Sequence, residues 1–113
     1  MFDNQNNLKD EFYSPTHNLK IVVFEKKGNA TTNNSIHVSL EMSNYQLENT
    51  DTGNFFIADQ IDSHNQTATQ LIQANWKNND TIQIHYPQSI RIFKKENQIK
   101  IRNNSIIIKY ILK

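Results

Sequence analysis

The sequence predicts an all-β fold, an antiparallel sandwich or a small barrel of about seven or eight strands. Apolar residues alternate with polar ones in several segments, as in Ile36, Val38 and Leu40, which is the period of a half-buried strand. Turn signals recur roughly every ten residues, the spacing typical of sandwiches and barrels. No segment sustains a helical period, and only residues 68–75 have a composition that permits a helix. The 113 residues suffice for one domain.

The N-terminal third contains a leader, a turn and two strands. Residues 1–13 are mostly polar and are predicted to be a flexible leader, so that the single β domain spans residues 14–113. A turn at residues 14–18 precedes the apolar run 19–24, which is typical of a central strand buried on both faces. A half-buried strand follows at residues 35–42.

The remainder consists of two long polar loops, a short strand between them, and a series of hairpins. The loops end at Thr52 and Thr67, and both are long enough to form a recognition surface. The clearest hairpin joins the segment ending at Trp76 to the alternating segment of Ile82 and Ile84. Further strands are predicted at residues 90–93, 99–101 and 106–112.

Composition limits the chemistry of the turns and of any site. The chain contains no Cys, which excludes disulfides, thiolate metal ligands and a cysteine nucleophile. It contains only two Gly and two Pro, so Asn is expected to form the turns, because Asn tolerates the left-handed region. The pairs Asn78-Asn79 and Asn103-Asn104 lie between apolar runs, as this interpretation requires.

Charge is distributed unevenly along the chain. Residues 1–60 carry four lysines against eight acids, a balance of −4, and residues 61–113 carry eight bases against three acids, a balance of +5. A basic half is compatible with nucleic-acid binding, but lysines and arginines on solvated strand faces are the favoured explanation. No nucleic-acid partner is therefore expected. No apolar run has the length of a membrane span. The polar start after Met1 does not resemble a signal peptide, and it fits a chain whose export segment or anchor has been removed.

No catalytic or cofactor-binding motif is present. The four histidines lack metal-ligand spacing, no Ser lies in a nucleophile-elbow context, and no Gly-rich loop could hold a phosphate. We therefore expect neither enzymatic activity nor a cofactor or metal. One alternative remains: Asp51, Asp59 and Asp62 lie on the two long loops and could converge on a calcium ion or a sugar. Trp76, the only tryptophan, is expected in the core rather than on display as a stacking platform.

Several short motifs occur in a fixed order along the chain: Ser14-Pro15, residues 20–24, residues 28–32, Val38-Ser39 and residues 53–59. In this order they resemble a family of small uncharacterised bacterial envelope proteins and lipoproteins. That family shares Ser-Pro, a Val-rich strand ending in Phe, a Cys-Gly-Ala-Thr-Thr turn, a Val-Ser pair and Gly-Asn-x-Phe-x-Ala-Asp. The family's Trp, hairpin and aliphatic-Phe pair are similar to Trp76, residues 80–87 and Ile92-Phe93.

The resemblance implies a structural turn and an envelope location. The turn would comprise Gly28, Asn29, Ala30, Thr31 and Thr32, in which Gly28-Asn29 replaces the family's Cys-Gly. This replacement removes a thiol but keeps residues that can take positive φ, as expected for Asn29. A periplasmic or envelope-anchored protein is expected, with the cytoplasm as the alternative.

The sequence favours a noncatalytic domain that binds an unknown protein partner, with a toxin-neutralising immunity protein as a specific version. The two long loops or an exposed strand edge would contact the partner. The alternatives are a small enzyme or a ligand-binding or metal-binding domain that uses the loop carboxylates, and, third, a nucleic-acid binder that uses the basic C-terminal strands. The expected partner-binding loop residues are Asn44, Tyr45, Asp51, Asp59, Asp62 and His64.

Overall fold

The computed structural model describes residues 6–28, 34–60 and 68–113, and it shows an all-β sandwich. These residues form nine strands and a single helical turn. In chain order the elements are β1 (Asn6–Tyr13), β2 (Leu19–Lys26), β3 (Ser35–Met42), β4 (Phe56–Gln60), α1 (Ala68–Leu71), β5 (Gln73–Asn78), β6 (Thr81–Tyr86), β7 (Ile90–Lys95), β8 (Gln98–Ile101) and β9 (Asn104–Leu112).

The strands form two sheets of different character. Sheet A has the order β1-β2-β3-β4-β7 and is antiparallel throughout. Sheet B has the order β5-β6-β9-β8, and its central pair, β6 and β9, is parallel. The sandwich is therefore confirmed, but the count of seven or eight strands was too low and one pair is not antiparallel. The period-two pattern of a strand is the same for either direction of its neighbour, so the sequence carries no signal for the parallel pair.

The core lies between the two sheets and is built from the apolar face of each strand. Ile36, Val38 and Leu40 are at most 2% exposed, as their alternation predicts. Rings join the sheets, because Phe56 of β4 lies 5.9 Å from the ring of Tyr86 and 5.7 Å from that of Tyr110. The predicted hairpin is confirmed: Trp76 of β5 pairs with Ile82 of β6 across a turn at residues 79–80.

The N-terminal segment differs from the prediction of a flexible leader. Residues 6–13 form β1, which pairs along its length with β2. Its side chains are mostly polar because it is the edge strand of sheet A, and Phe12 is the side chain that packs against the core. Backbone hydrogen bonds to β2 hold β1 in place, and these do not require apolar side chains. The alternating apolar pattern that identifies a strand in a sequence is therefore absent from β1. As predicted, β2 itself is interior to its sheet, and all of residues 19–24 are buried.

Candidate functional site

Residues 43–55 connect β3 to β4. Residues 43–53 of this connection, called the 43–53 loop below, are closed by hydrogen bonds that their own side chains make. The Tyr45 hydroxyl donates a hydrogen bond of 2.6 Å to Oδ2 of Asp51, and the same oxygen accepts the backbone N–H of Glu48 at 2.8 Å. The hydrogen bond to Asp51 raises the pKa of Tyr45, because the anionic carboxylate favours the protonated phenol. The Asp51 carboxylate thus joins two parts of the loop by accepting hydrogen bonds from Tyr45 and Glu48.

Strands β1 and β3 hold the loop against the outer face of sheet A. The Asn6 side-chain amide donates to the carbonyls of Glu48 at 2.7 Å and Asp51 at 2.9 Å. Ser39 of β3 donates to the Thr52 carbonyl at 3.3 Å. The backbone of the loop is therefore fixed at several points, although Asn44, Gln46, Glu48, Asn49 and Thr50 are exposed.

Gly53 and Asn54 return the chain to sheet A by a close approach to β3. A Cβ on Gly53 would lie 2.6 Å from the Phe56 carbonyl oxygen and 2.9 Å from the Val38 nitrogen, so only glycine fits without a backbone shift. The Asn54 side chain accepts the Leu40 N–H and donates to the Leu40 carbonyl, both at 2.8 Å. It thereby extends the β3–β4 ladder with a side chain where the backbone pairing has ended.

His37 is the buried polar residue at the centre of this arrangement. Its Nδ1 accepts the Gly53 N–H at 2.9 Å, and its Nε2 lies 2.8 Å from the Ser35 hydroxyl. Because a backbone N–H can only donate, Nδ1 is unprotonated, and the neutral ring carries its proton on Nε2 and donates to Ser35. This tautomer cannot accept a proton from Ser35, so in this geometry the pair ties the loop to β3 and is not arranged as a nucleophile and its base.

Burial lowers the pKa of His37 to about 4, with smaller contributions from the positive charges of Lys26 and Lys94. The ring also stacks on Phe24 at a centroid distance of 5.1 Å. His37 is thus a neutral packing residue at physiological pH. The sequence analysis placed it at a polar strand position, but no sequence signal revealed that it is 4% exposed and bonded to the loop.

The loop forms an acidic region at the C-terminal end of β3. Burial raises the pKa of Glu41, and the neighbouring charge of Asp51 adds to the effect. Glu48 is exposed beside them. Three carboxylates therefore belong to this end of the outer face of sheet A.

Asp59 does not belong to a loop, contrary to the sequence-based expectation. It is a residue of β4 that is 4% exposed, and it pairs with Arg91 of β7 through two hydrogen bonds of 3.1 and 2.8 Å. The strand register places it beside Ser35 at the start of β3, whereas Asp51 lies near Glu41 at the other end. Six strand residues separate these ends by roughly 20 Å. Asp51 and Asp59 consequently do not converge, so they do not form the calcium or sugar site that was the alternative.

Other expected site residues divide into those that the structure places and those outside the described residues. Asn44 and Tyr45 lie on the 43–53 loop as predicted. Gly28 donates its backbone N–H to the side chain of Asn34 at 2.8 Å. The expectations for Asn29 to Thr32, including the positive φ of Asn29, and those for Asp62 and His64 fall outside the described residues.

Trp76 packs against the core, as predicted, and joins the two sheets. Its indole N–H donates a 2.7 Å hydrogen bond to the carbonyl of Phe12 in β1. The ring is partly buried and packs against the core cluster. Sequence reasoning missed the hydrogen bond because β1 was not recognised as a strand.

Turns from both sheets meet at one end of the sandwich and form a shallow polar pocket. The backbone N–H of Thr16 donates to the side chain of Asn79 at 3.1 Å and connects two of these turns. The pocket is lined by Ser14, Thr16, Asn18, Leu19, Asn79, Asp80 and Asn104. These groups offer hydrogen bonds, but no group of three or more His, Asp or Glu within the described ranges could hold a metal ion. The described part of the chain also contains no helix with the length and hydropathy that a membrane crossing requires.

Together these features define a small all-β sandwich with one long surface loop fixed by buried polar side chains. Comparison with known proteins found no matching family model, no significantly similar curated protein and no significantly similar solved structure.

Proposed function

We propose that this protein is a noncatalytic domain that binds a protein partner through the 43–53 loop. The observation that carries the proposal is the way the loop is built. Asn6, His37 and Ser39 fix its backbone from neighbouring strands, and the exposed Asn49 side chain adds to this by accepting the Asn6 backbone N–H at 3.2 Å. A loop that exists only to connect β3 to β4 would not need so many buried polar anchors.

Preorganisation of this kind favours binding, because the cost of ordering the loop is met when the protein folds and not when the complex forms. The exposed Gln46 and Glu48 offer amide and carboxylate groups for polar contacts. With Glu41 and Asp51 nearby, the surface is acidic and suits a basic region on the partner. The partner-binding surface is thus the loop tip, and Asp51 and Tyr45 support it from within.

The specific version of the proposal is an immunity protein that neutralises a toxin delivered into the bacterial periplasm. Two observations support it: the small size of the fold, and the resemblance of its motifs to bacterial envelope proteins. An acidic binding loop would complement a toxin with a basic surface, and blocking such a surface needs no catalytic group.

Affinity capture from an envelope extract of the source cells tests this proposal. The test variant combines Gln46→Lys, Glu48→Lys and Thr50→Lys, which changes exposed side chains and leaves Asn6, Tyr45 and Asp51 intact. The control combines Gln88→Lys, Ser89→Lys and Glu96→Lys, which alters the net charge equally at exposed positions away from the loop. The wild type and the control should recover the same protein, and the loop variant should not. Recovery by all three proteins, or no reproducible recovery by the wild type, contradicts the proposal.

A further inference from the structure

Within the described ranges, the strands of sheet B place no acidic side chain on its outward face. None of the four strands of this sheet includes an Asp or a Glu, and Lys77, Lys100 and Lys109 point outward from β5, β8 and β9. The nearest carboxylates in sequence, Asp80 and Glu96, lie in the turns that precede β6 and β8. Three of the eight bases of residues 61–113 thus lie on this face, whereas Arg91, Lys94 and Lys95 of β7 belong to sheet A.

The lysines of this face are not neutralised by carboxylates of the described residues. The ion pairs between described residues are Lys9–Glu25, Lys20–Glu11 and Arg91–Asp59, and all of them belong to sheet A. A single solvated lysine is common on protein surfaces. Three lysines on one four-stranded face whose strands contain no acidic residue give that face a positive electrostatic potential. That potential selects an anionic partner.

Amide side chains stand beside the lysines and add hydrogen-bond donors. Asn75, Gln83 and Lys109 form one row across β5, β6 and β9, because the register pairs Asn75 with Gln83 and Gln83 with Lys109. The Asn75 and Gln83 side chains lie 3.4 Å apart. Neighbouring strands are about 4.8 Å apart, so the row presents donors over roughly 10 Å. A carboxylate accepts hydrogen bonds from both amide and ammonium groups.

Two apolar side chains complete the face. Ile107 is 48% exposed and Ile111 is 37% exposed, and both lie on β9, one on either side of Lys109. Since β9 is interior to sheet B, these residues are central on the face and the amides and other lysines surround them. Apolar groups at the centre and polar groups around them are the usual composition of protein–protein interfaces.

We infer that the outward face of sheet B is a second docking surface, which binds a carboxylate-rich surface of a protein. Nucleic acid is a poorer fit, because the four strands place no Arg, Phe, Trp or Tyr on this face to grip phosphates or stack on bases, and the only ring that they place there is the imidazole of His85. An anionic membrane is also a poorer fit, because Asn75, Gln83 and Lys109 form a row of directional donors suited to individual acceptors. The inference is independent of the proposed function, since the 43–53 loop lies on the other sheet.

Titration with poly-L-glutamate, followed by amide NMR chemical shifts at a low ionic strength of about 50 mM, tests the inference. Shifts should be confined to β5, β6, β8 and β9. A variant with Lys77→Gln, Lys100→Gln and Lys109→Gln should bind at least about tenfold more weakly. A control with Lys9→Gln, Lys26→Gln and Lys94→Gln loses the same charge from sheet A and should bind like the wild type.

Several outcomes overturn the inference. These are the absence of binding, shifts centred on sheet A, equal loss in the two lysine variants, and tighter binding to a single-stranded oligonucleotide or to phosphatidylglycerol vesicles than to poly-L-glutamate. The loop variant used to test the proposed function should bind poly-L-glutamate at least as well as the wild type. Failure of one proposal therefore leaves the other unaffected.

Discussion

At the scale of single residues, the segment 53–59 is composed of side chains with structural roles. Gly53 permits the close approach to β3, Asn54 extends the ladder, and Ala58 is fully buried. Asp59 pairs with Arg91. The four residues Gly53, Asn54, Ala58 and Asp59 are therefore explained by backbone, packing and ion-pair requirements of this chain, without a ligand.

Gly53→Ala should destabilise the protein by about 1–3 kcal/mol, the usual cost of forcing atoms into a packed region. The added Cβ would meet backbone atoms of β3 and β4, which cannot turn away as a side chain could. Urea unfolding monitored by Trp76 fluorescence measures the change. The neighbouring Thr52→Ala is the control and should lie within about 0.5 kcal/mol of wild type, because Thr52 is exposed. Similar unfolding midpoints for both variants would show that the approach is not tight.

His37 makes stability depend on pH. Its pKa is about 4 in the folded protein and about 6.5 when unfolded, so the unfolded state binds the extra proton between these values. The stabilisation is complete above pH 6.5 and is lost as pH falls toward 4. Between pH 7.5 and pH 5 the wild type should lose about 2 kcal/mol more than His37→Asn, which retains an acceptor for the Gly53 N–H but has no titrating ring. Identical pH slopes for the two proteins would contradict this role.

At the scale of elements, β1 and β5 depend on each other although they belong to different sheets. The Trp76 N–H bonds the Phe12 carbonyl, and Phe12 packs against the core. On its other side, Asn6 of β1 holds the 43–53 loop. An edge strand with little apolar surface therefore connects the second sheet and the candidate binding loop.

Removal of residues 1–13 should strongly destabilise the domain, because it exposes the apolar edge of β2 and frees the 43–53 loop. The comparator is a chain that starts at Asn6 and keeps β1 whole. The longer truncation should lower the thermal midpoint markedly and increase aggregation, measured by circular dichroism and light scattering. If residues 1–13 were a flexible leader, as their polarity suggested, both chains would melt at the same temperature.

Trp76→Phe should cost about 1–2 kcal/mol, because it keeps an aromatic ring but removes the donor to the Phe12 carbonyl. Urea unfolding followed by far-ultraviolet circular dichroism measures the loss. In the wild type, the tryptophan emission should be blue-shifted and should move to the red on unfolding. A red native emission, or no loss on substitution, would place the indole in solvent.

Sequence patterns predicted the elements whose apolar residues face the core and missed those held by polar or backbone contacts. The alternation in residues 82–86 marked β6 and its hairpin correctly, and the Asn-rich segments do form turns, although the positive φ near Asn103 belongs to Arg102. β1 was not predicted, because a strand that is held mainly by backbone hydrogen bonds needs no alternating apolar residues. The polarity of the segment was enough to place Asn44 and Tyr45 on a loop. Asn6, His37 and Ser39 instead bond loop residues that lie 13 to 45 positions away in the sequence, and local sequence patterns give no sign of such contacts.

At the scale of the whole molecule, the charge imbalance along the chain is separated only in part between two faces, because β7 brings Arg91, Lys94 and Lys95 of the basic half into sheet A. Residues 1–60 build four of the five strands of sheet A, and all of sheet B comes from the basic half. The net charge is only +1, and the shortest dimension of the Cα envelope is 18 Å. An acidic loop and a basic sheet thus lie on opposite faces of a thin, nearly neutral slab.

Molecules of this kind should attract one another weakly at an ionic strength of about 10 mM, where screening extends over roughly 30 Å. Static light scattering should give a negative second virial coefficient that rises as salt is added. Attraction between molecules should be weaker for the variant with Gln at Lys77, Lys100 and Lys109 than for the control with Gln at Lys9, Lys26 and Lys94. The two variants have the same net charge, but only the first loses the lysines of sheet B. A coefficient independent of salt would contradict this charge segregation.

The parallel pairing of β6 and β9 also sets the order in which the protein can assemble. Strands β1 to β4 can pair as soon as they leave the ribosome, because each one meets a neighbour that precedes it in the chain. Sheet B can form only its β5–β6 hairpin in this way, since β9 separates β6 from β8 and is translated after both. Until β9 emerges, the apolar face of sheet A has no complete partner, and the nascent chain carries exposed core residues such as Ile36 and Leu40. The protein should therefore depend on chaperones during synthesis more than its small size suggests, and a stop codon before β9 should yield an insoluble product.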